Sequence, residues 1–452
     1  MLKAVEKMDK YAQRVWRFAK FLRSIFRQFL MNPPQFMRMI GRKVFHVMNS
    51  LNYAQYLRRL PNVAPLNLTT IPGLFDRPTL NVLIPGMTML HMSGGPNTAI
   101  NLAYRLAAKG IPVRFISTDV PVAQGHDLLW VHFASLTGIT ERLTNVEICS
   151  GSDRSKPLSI GENDVFFGTA WWTAQMIKYA LPLTKPKKFI YIIQEFEPGL
   201  YEFSSRYALA LETYQMNFCG IVNEQFLADY LCDYKIGRFA DPAFIDSCAI
   251  FEPALDTRKF CPPQEKKLSR PKRLLFYARP NAPRNLFELG LNALQIAAKQ
   301  NVFSGEAWEL LFIGEPLPDM KLDNNLTIRN APWLNYDAYA ELIRNSDIAL
   351  SLMLSPHTSY PPLEMAACGG IAVTCSFAGK TQQLLHQISP NIIAVPPTVE
   401  GIVGGLQEAV GKVRAGQRSY EQINMPTTWD EAFSRVVPRL VDMFHDCQRS
   451  AD

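Results

Sequence analysis

Apolar runs of strand length alternate with segments of helical periodicity in two separate blocks of this chain. The first block opens with the runs Leu80–Ile84 and Val113–Ser117, and Asn97–Lys109 between them keeps its apolar residues at helical spacing. A strand, a helix and a second strand in this order form a βαβ unit, whose strands lie parallel in one sheet. The stretch Phe260–Lys272, rich in proline and lysine, separates this block from a second one with the same alternation. The chain is therefore predicted to be an α/β protein with two Rossmann-like, doubly wound domains facing a cleft.

The remaining elements are predicted in the same way, and they set the domain boundaries. The first block adds strands over Asp164–Phe167, Phe189–Ile193 and Gly220–Val222, and helices over 171–180, 204–215 and 224–232. The second block has strands over Leu274–Ala278, Glu309–Ile313, Asp347–Met353, Ile371–Cys375 and Ile392–Val395, and helices over Leu286–Lys299, Tyr336–Asn345, Leu363–Cys368 and Thr381–His386. We predict an N-terminal arm over 1–60, domains over 61–260 and 261–426, and a C-terminal helical segment over 427–452 that packs back on either domain. Two domains also suit a chain of 452 residues, which exceeds the size that one hydrophobic core comfortably supports.

The positive charge of the chain is concentrated near its N-terminus. Residues 1–60 hold 13 of the 47 Lys and Arg residues and only Glu6 and Asp9 as acids, while the net charge of the whole chain is +7. The rest is therefore slightly acidic, which argues against a nucleic-acid-binding protein. With 48% apolar and 19% charged residues, the composition is that of a folded globular protein.

At helical spacing, the arm over 1–60 has one apolar and one cationic face. The apolar face carries Tyr11, Val15, Phe18, Leu22, Ile25 and Phe29, and the cationic face carries Lys3, Lys7, Lys10, Arg14 and Arg17. Such a helix either lies in the headgroup layer of an anionic membrane or packs its apolar face on the protein body or on an oligomer partner. No apolar stretch reaches the length of a membrane-spanning helix. We therefore predict a cytoplasmic protein, peripheral on the inner face of the cytoplasmic membrane.

Motifs of several other ligand-binding classes are missing or incomplete in the sequence. The eight cysteines contain no C-x-x-C pair, which argues against a zinc site or a disulfide framework. Gly379-Lys380-Thr381 looks like the end of a phosphate-binding P-loop, but Thr374 stands where that motif needs glycine. No G-x-G-x-x-G follows a strand, which disfavours a dinucleotide oxidoreductase.

The loops after the second-block strands carry residues suited to a phosphorylated ligand. Arg279 and Arg284 follow the strand Leu274–Ala278 and stand next to a helix start. Two guanidinium groups there can hold a diphosphate bidentately, with help from the helix dipole, although surface arginines in a proline-rich turn are the alternative. The tight loop with Gly314 and Glu315, after the next strand, can approach a flat base.

A polar loop over Ser355–Glu364 leads into a helix that opens at two prolines. We expect its exposed backbone N–H groups to bind phosphate oxygens, together with the hydroxyls of Thr358, Ser359 and Tyr360. Glu364 is expected to accept hydrogen bonds from a sugar diol, unless it serves only the helix dipole.

Several segments of the chain together resemble a known enzyme family. In the second block they are Phe276–Arg279, Arg284 and Pro361–Val373, and in the first block they are Gly94-Gly95, Phe167–Ala174, Tyr191–Pro198 and Ser204–Tyr214. The second-block segments resemble the donor half of retaining GT-B glycosyltransferases of the GT4 type. The first-block segments from Phe167 onward resemble more closely the WsaF-like rhamnosyltransferases. The resemblance covers residues 80–445.

This resemblance implies transfer of L-rhamnose from dTDP-L-rhamnose, with retention, onto a growing cell-surface polysaccharide or a lipid-linked glycan. No cofactor or metal is expected, because in such enzymes the leaving diphosphate itself assists deprotonation of the acceptor, and no metal-binding D-x-D triplet occurs. The implied catalytic residues are Arg279, Arg284 and Glu195. The implied donor-binding residues are Gly94, Gly95, Arg279, Arg284, Gly314, Glu315, Thr358, Ser359, Tyr360 and Glu364. The implied acceptor residues are Gln194, Glu195, Glu197 and Trp172, with a structural role as the alternative for the two glutamates and for the tryptophan.

One position departs from the pattern of these families. Their usual motif has two glutamates separated by seven residues, and here the second is Glu364 while Pro356 occupies the first position. The customary contact of the first glutamate with the transferred sugar is therefore missing or supplied by a neighbour. A non-catalytic glycan- or nucleotide-sugar-binding scaffold, and an epimerase or hydrolase of the same fold, are the competing hypotheses.

Overall fold

The computed structural model describes residues 63–74, 77–89, 91–92, 94–122, 127–263, 271–332 and 334–450. The arm predicted over 1–60 lies outside these ranges, so its membrane, packing and oligomer interpretations stay predictions. None of the helices within the described ranges combines the length and the apolar character that a bilayer span requires.

A parallel sheet forms the first α/β domain. The strands are β1 (Leu68–Ile71), β2 (Leu80–Ile84), β3 (Val113–Ser117), β4 (Val146–Ser150), β5 (Leu158–Gly161), β6 (Val165–Gly168), β7 (Phe189–Ile193), β8 (Phe218–Asn223) and β9 (Ala249–Phe251). The helices are α1 (Gly95–Ala107), α2 (Asp127–Thr137), α3 (Trp171–Ala180), α4 (Ser205–Thr213), α5 (Gln225–Asp233) and α6 (Pro242–Ser247). Within the described residues, seven strands share the sheet in the order β4-β3-β2-β6-β7-β8-β9, and β1 pairs separately with β5.

A second sheet of mostly parallel strands forms the other α/β domain. Its strands are β10 (Lys272–Ala278), β11 (Trp308–Gly314), β12 (Met320–Lys321), β13 (Thr327–Asn330), β14 (Ile348–Leu350), β15 (Ile371–Cys375) and β16 (Ile392–Val395). Its helices are α7 (Phe287–Lys299), α8 (Tyr336–Arg344), α9 (Tyr360–Ala367), α10 (Gln382–Ile388) and α11 (Val399–Ala415). The strand order is β12-β13-β11-β10-β14-β15-β16, and only the edge strand β12 runs antiparallel among the pairs described.

The central strands are buried on both faces. In β2, Val82 and Ile84 pack into one hydrophobic core and Leu83 into another, as the two-residue repeat of a strand requires. Helices cover both faces of such a sheet, so the strands are continuous apolar runs in the sequence. The prediction of two doubly wound α/β domains is confirmed.

The C-terminal segment packs on the first domain. It forms α12 (Trp429–Ala432) and α13 (Val436–Arg449). Leu440 and Phe444 of α13 are buried in the core that also holds the apolar residues of α1. The chain therefore returns from the second domain to the first and connects the two.

The sequence analysis did not predict α11, a helix of 17 residues. Gly401, Gly404, Gly405 and Gly411 interrupt its apolar pattern, and glycine is a poor helix former. Gly405 has a packing reason, because a Cβ atom there would lie 2.8 Å from a methyl carbon of Val395 in the sheet beneath. Tertiary contact therefore overrides the local preference at this helix.

Candidate active site

The carboxyl ends of the two sheets border a cavity of about 820 Å³ between the domains. The first domain contributes the N-terminus of α1 and the ends of β7 and β8, and the second contributes the loops after β10, β11, β13 and β14. Among the residues predicted for the site, those that line it are Gly94, Gly95, Gln194, Glu195, Arg279, Arg284, Gly314, Glu315, Ser359, Tyr360 and Glu364. The loops that were separate in sequence therefore meet at one place.

Two arginines stand on one wall of this cavity. The Nε atom of Arg279 lies 3.5 Å from Oε1 of Glu315, and Nε of Arg284 lies 3.9 Å from Oε2 of Glu195. The Nε atom of Arg284 is buried without a hydrogen-bond partner in the described structure. A buried N–H group of this kind is costly unless a ligand or water satisfies it. The wall is thus suited to an anionic ligand.

Glycines keep the backbone of the site close-packed. Gly314 has φ +114°, and a Cβ atom there would lie 2.9 Å from the carbonyl oxygen of Ala278. Gly94, just before α1, has φ +52°. Gln194 donates from Nε2 to the carbonyl oxygen of Gly95 at 3.0 Å and so fixes the start of α1 against the end of β7. The positive φ accounts for glycine at positions 94 and 314, and the contact with Ala278 adds a steric reason at 314.

Glu315 is engaged with the arginine loop. Its Oε2 atom accepts a 2.7 Å hydrogen bond from Nδ2 of Asn281, in addition to the Arg279 contact. The carboxylate therefore fastens the loop after β11 to the loop after β10. Gly314, the residue before Glu315, lines the cavity without a side chain of its own.

Glu364 is a buried acid at the floor of the cavity. It lies in α9 with 5% exposure, and its Oε2 atom accepts a 2.6 Å hydrogen bond from the hydroxyl of Tyr339. Burial raises the pKa of the Glu364 carboxyl to about 7, and the hydrogen bond from Tyr339 opposes this shift. Its carboxylate charge is therefore close to half-titrated at neutral pH.

The loop before α9 differs from its prediction in one respect. The N–H groups of three successive residues are already used: His357 donates to Oγ of Ser355 at 3.0 Å, Thr358 to Oε1 of Glu224 at 2.7 Å, and Ser359 to Nδ1 of His357 at 3.0 Å. The expectation that exposed amides and the Thr358 hydroxyl bind phosphate is wrong for these groups, because the hydroxyl also donates to Glu224. Ser359, Tyr360 and the N-terminus of α9 still face the cavity.

Glu195 bridges the two domains. Its Oε1 atom accepts a 2.5 Å hydrogen bond from Oγ of Ser355 in the second domain. The same oxygen accepts a 2.9 Å hydrogen bond from the N–H group of Phe196 in the first domain. Ser355 is the neighbour of Pro356, where the family motif has its first glutamate. A carboxylate from the first domain therefore contacts the residue before Pro356, the position at which the motif that the sequence resembles has a glutamate.

The other two acceptor candidates do not line the cavity. Glu197 accepts a 2.9 Å hydrogen bond from the buried hydroxyl of Tyr191, and burial raises its pKa to about 8. Trp172 donates from its indole nitrogen to Asp119 at 2.9 Å and packs edge-on against buried Trp171. These contacts lie within the first domain and favour the structural alternative for both residues.

Several functional residues were missed by the sequence analysis. Tyr336, Tyr339 and Asn223 line the cavity, and Lys380 lies buried behind the loop before α9. Asn223 closes β8, so its place at a strand end was a usable signal. The tyrosines of α8 gave no such signal, because only tertiary packing determines which face of that helix meets α9.

Lys380 does not belong to a P-loop. Burial lowers the pKa of its ammonium group to about 8. Within the described residues, no cluster of acids, histidines and cysteines is arranged to hold a metal ion.

Two family models match the chain and decide its family. The N-terminal domain of WsaF matches residues 79–222, and the C-terminal domain of WsaF matches residues 272–407. The chain belongs to the WsaF family. The two matches coincide with the two sheets that border the cavity.

This WsaF-family protein is also similar to a curated protein and to a solved structure. Over 285 residues it is 30% identical to the O-antigen biosynthesis protein RfbC of Myxococcus xanthus. The match takes in 62% of this chain but only 21% of that protein, so the chain spans about a fifth of the relative's length. The crystal structure of HepE from Anabaena in complex with UDP-glucose matches with a TM-score of 0.51, at 11% identity, over 82% of this chain and 98% of that one. The second likeness shows a shared fold.

Proposed function

We propose that this WsaF-family protein transfers L-rhamnose from dTDP-L-rhamnose onto a growing cell-surface polysaccharide or lipid-linked glycan, with retention of the anomeric configuration. The observation that carries the proposal is that Arg279, Arg284, Glu364 and the N-terminus of α9 line one cavity between the domains. A partly enclosed cavity with two guanidinium groups and a buried carboxylate matches the two polar ends of a nucleoside diphosphate sugar.

Each part of the donor has a suitable counterpart in the cavity. The arginines and the helix N-terminus suit the diphosphate. Glu364 suits the hydroxyl groups of the deoxyribose and of the rhamnose, since an ionised carboxylate accepts strong hydrogen bonds. The stretch Ile313–Pro316, which lines the cavity, suits the thymine ring, since its glycine has no side chain of its own.

The proposed reaction proceeds on one face of the sugar. The bond from the anomeric carbon of rhamnose to the diphosphate oxygen breaks, and a new bond to the acceptor oxygen forms on the same side. The acceptor proton passes to the departing diphosphate. Arg279 and Arg284 stabilise the charge that develops on that group, which is the largest contribution a protein can make to such a step. Glu195, beside Pro356, replaces the missing first glutamate and orients the sugar or its acceptor.

The competing function is a nucleotide-sugar-binding scaffold, and Pro356 is the residue that favours it. Purified protein incubated with dTDP-L-rhamnose and candidate rhamnan acceptors separates the two. Release of dTDP that requires an acceptor supports the transferase. Thermal protection by dTDP-L-rhamnose without turnover on any acceptor supports the scaffold, and release of dTDP without an acceptor supports a hydrolase.

The binding of dTDP-L-rhamnose is expected to strengthen as the pH rises from 6 to 8. The pKa of Glu364 is raised to about 7, so its accepting carboxylate form is a minor species at pH 6 and the major one at pH 8. The dissociation constant should fall about tenfold over this range if only the ionised form binds well. The diphosphate diester of the donor does not titrate there. Calorimetric titration at each pH provides the measurement.

Two variants control for other titrating groups. Glu364→Gln should bind weakly with little pH dependence. Tyr339→Phe removes a hydrogen bond that lowers the pKa, so its transition should move to higher pH. A wild-type profile that is flat, or that falls with rising pH, would contradict the assignment of Glu364 to the donor.

The arm over 1–60 is proposed to hold the protein at an anionic membrane surface. Deleting it should abolish sedimentation with liposomes containing anionic lipid and leave transfer to a soluble acceptor intact, since the cavity is built from residues beyond it. Neutral liposomes are the control. Sedimentation of the truncated protein with anionic liposomes would refute this role.

A further inference from the structure

The buried carboxylate of Glu224, in the first domain, binds Thr358 of the second domain, and neither residue lines the cavity. Glu224 precedes α5, and its two oxygens accept from Thr358: Oε1 from the N–H group at 2.7 Å and Oε2 from the hydroxyl at 2.6 Å. The exposure of Glu224 is 0% and that of Thr358 is 3%. Buried hydrogen bonds to a charged acceptor are among the strong ones, so this contact fixes the loop before α9.

The backbone on both sides of this contact is held in a region that side chains disfavour. Glu224 has φ 73° and ψ 151°, and Ser359 has φ 71° and ψ 148°. Residues other than glycine remain in this region only where their surroundings fix them, and such residues cluster at ligand sites. One of the two stands on each side of the domain boundary, and both precede a helix.

A buried cation also holds this loop, through two of its backbone carbonyl groups. The ammonium group of Lys380 donates to the carbonyl oxygens of Met353 at 3.2 Å and His357 at 3.1 Å. Lys380 has 1% exposure, and its charge is favoured by the nearby carboxylates of Glu224 and Glu195. The loop is therefore held both by a buried carboxylate of the first domain and by a buried ammonium group of its own domain.

We propose that Glu224 is a positioning residue for the donor, and this inference rests on the proposed function. By holding Thr358 it orients Ser359, Tyr360 and the first turn of α9 toward the diphosphate, although it does not line the cavity itself. The donor site in the second domain is thus completed by a contact from the first domain, and donor affinity depends on that contact.

The same helix offers a matched control. Glu252 accepts a 2.9 Å hydrogen bond at Oε1 from the N–H group of Gln225, the first residue of α5. This bond stays within the first domain. Glu224→Gln and Glu252→Gln therefore each remove one carboxylate near the start of α5. Only Glu224→Gln changes a hydrogen bond to the loop before α9.

The test is calorimetric titration of the full-length protein with dTDP and with dTDP-L-rhamnose. Glu224→Gln and Thr358→Val should each weaken binding about tenfold or more, the scale of a lost hydrogen bond to a charged group. The double variant should lose little affinity beyond the larger single effect, since both substitutions break the same contact.

Two control variants should bind within about twofold of wild type: Glu252→Gln, and Thr358→Ser, which keeps the hydroxyl. Thermal unfolding of each variant shows whether the fold is retained, and Thr358→Val carries the test if Glu224→Gln does not fold.

Three results would overturn the inference. One is wild-type affinity in both Glu224→Gln and Thr358→Val; another is an equal loss in Glu252→Gln; the third is a double variant whose losses multiply. If the wild-type protein binds neither nucleotide, the proposed function fails together with the inference. If it binds and the Glu224 and Thr358 variants bind equally well, only the inference fails.

Discussion

Replacing Arg279 or Arg284 by alanine is expected to lower the rate of the proposed rhamnosyl transfer about a hundredfold or more, the effect of removing one group that stabilises developing charge. Both guanidinium groups border the cavity, and the buried Nε atom of Arg284 has no hydrogen-bond partner in the described structure. Since the diphosphate gains charge as the sugar leaves, the loss should be larger in kcat than in donor affinity. Steady-state kinetics with dTDP-L-rhamnose and a saturating acceptor measure it.

A cation far from the cavity provides the matched control. Arg414 in α11 pairs with Glu306 at 3.0 Å, and its side chain is 40% exposed compared with 41% for Arg279. Arg414→Ala should leave kcat within about twofold of wild type. Arg284→Lys should be more active than Arg284→Ala but less active than wild type, since lysine keeps the charge but lacks the planar guanidinium group that binds phosphate bidentately. Wild-type kcat in Arg279→Ala and Arg284→Ala would reject the role of these arginines.

Glu195→Gln is expected to lower kcat about ten- to a hundredfold, the scale of charge-assisted hydrogen bonds lost in a site. The substitution keeps the size of the side chain but removes the charge beside Arg284 and weakens the bond from Ser355. Because Glu195 stands next to Pro356, its loss also removes the proposed replacement for the missing first glutamate. Donor affinity and kcat measured together locate the effect in the ground state or the transition state.

Glu197→Gln is the natural comparison, two residues further along the chain. Burial raises the pKa of Glu197 to about 8, so its carboxyl is mostly neutral at pH 7 and an amide is a close substitute. Its kcat should stay within about threefold of wild type. In the wild-type protein the raised pKa of Glu197 makes the folded state less stable as the pH rises from 4.5 toward 8, because the buried carboxyl must then ionise. Glu197→Gln lacks this ionisation, so it should be more thermally stable than the wild-type protein at alkaline pH. Equal loss of kcat in both variants would contradict the distinction drawn between the two glutamates.

The sheets could be predicted from the sequence because their strands are buried on both faces. Runs such as Phe189–Ile193 and Ile371–Cys375 are continuous and apolar, and the structure has strands with the same bounds. Strand ends then located Arg279, Arg284 and Glu364, since parallel strands deliver their loops to one edge. Local pattern was sufficient for these features.

Other parts of the site depend on contacts that no local pattern contains. Thr358 was assigned to phosphate from its residue type, but its partner Glu224 is 134 positions away in the chain. Glu195 and Glu197 were both assigned to the acceptor, but Glu197 is engaged by the hydroxyl of buried Tyr191, which sequence spacing does not reveal. The helix α11 was not predicted because its four glycines interrupt the apolar pattern, and of these Gly405 packs closely against Val395 of the sheet.

A crystal structure of the protein with dTDP bound would test the central claim most directly. The diphosphate oxygens are expected within hydrogen-bonding distance of the guanidinium groups of both Arg279 and Arg284, with the deoxyribose hydroxyl beside Glu364. A nucleotide bound outside the interdomain cavity, or one whose diphosphate contacts neither arginine, would contradict it.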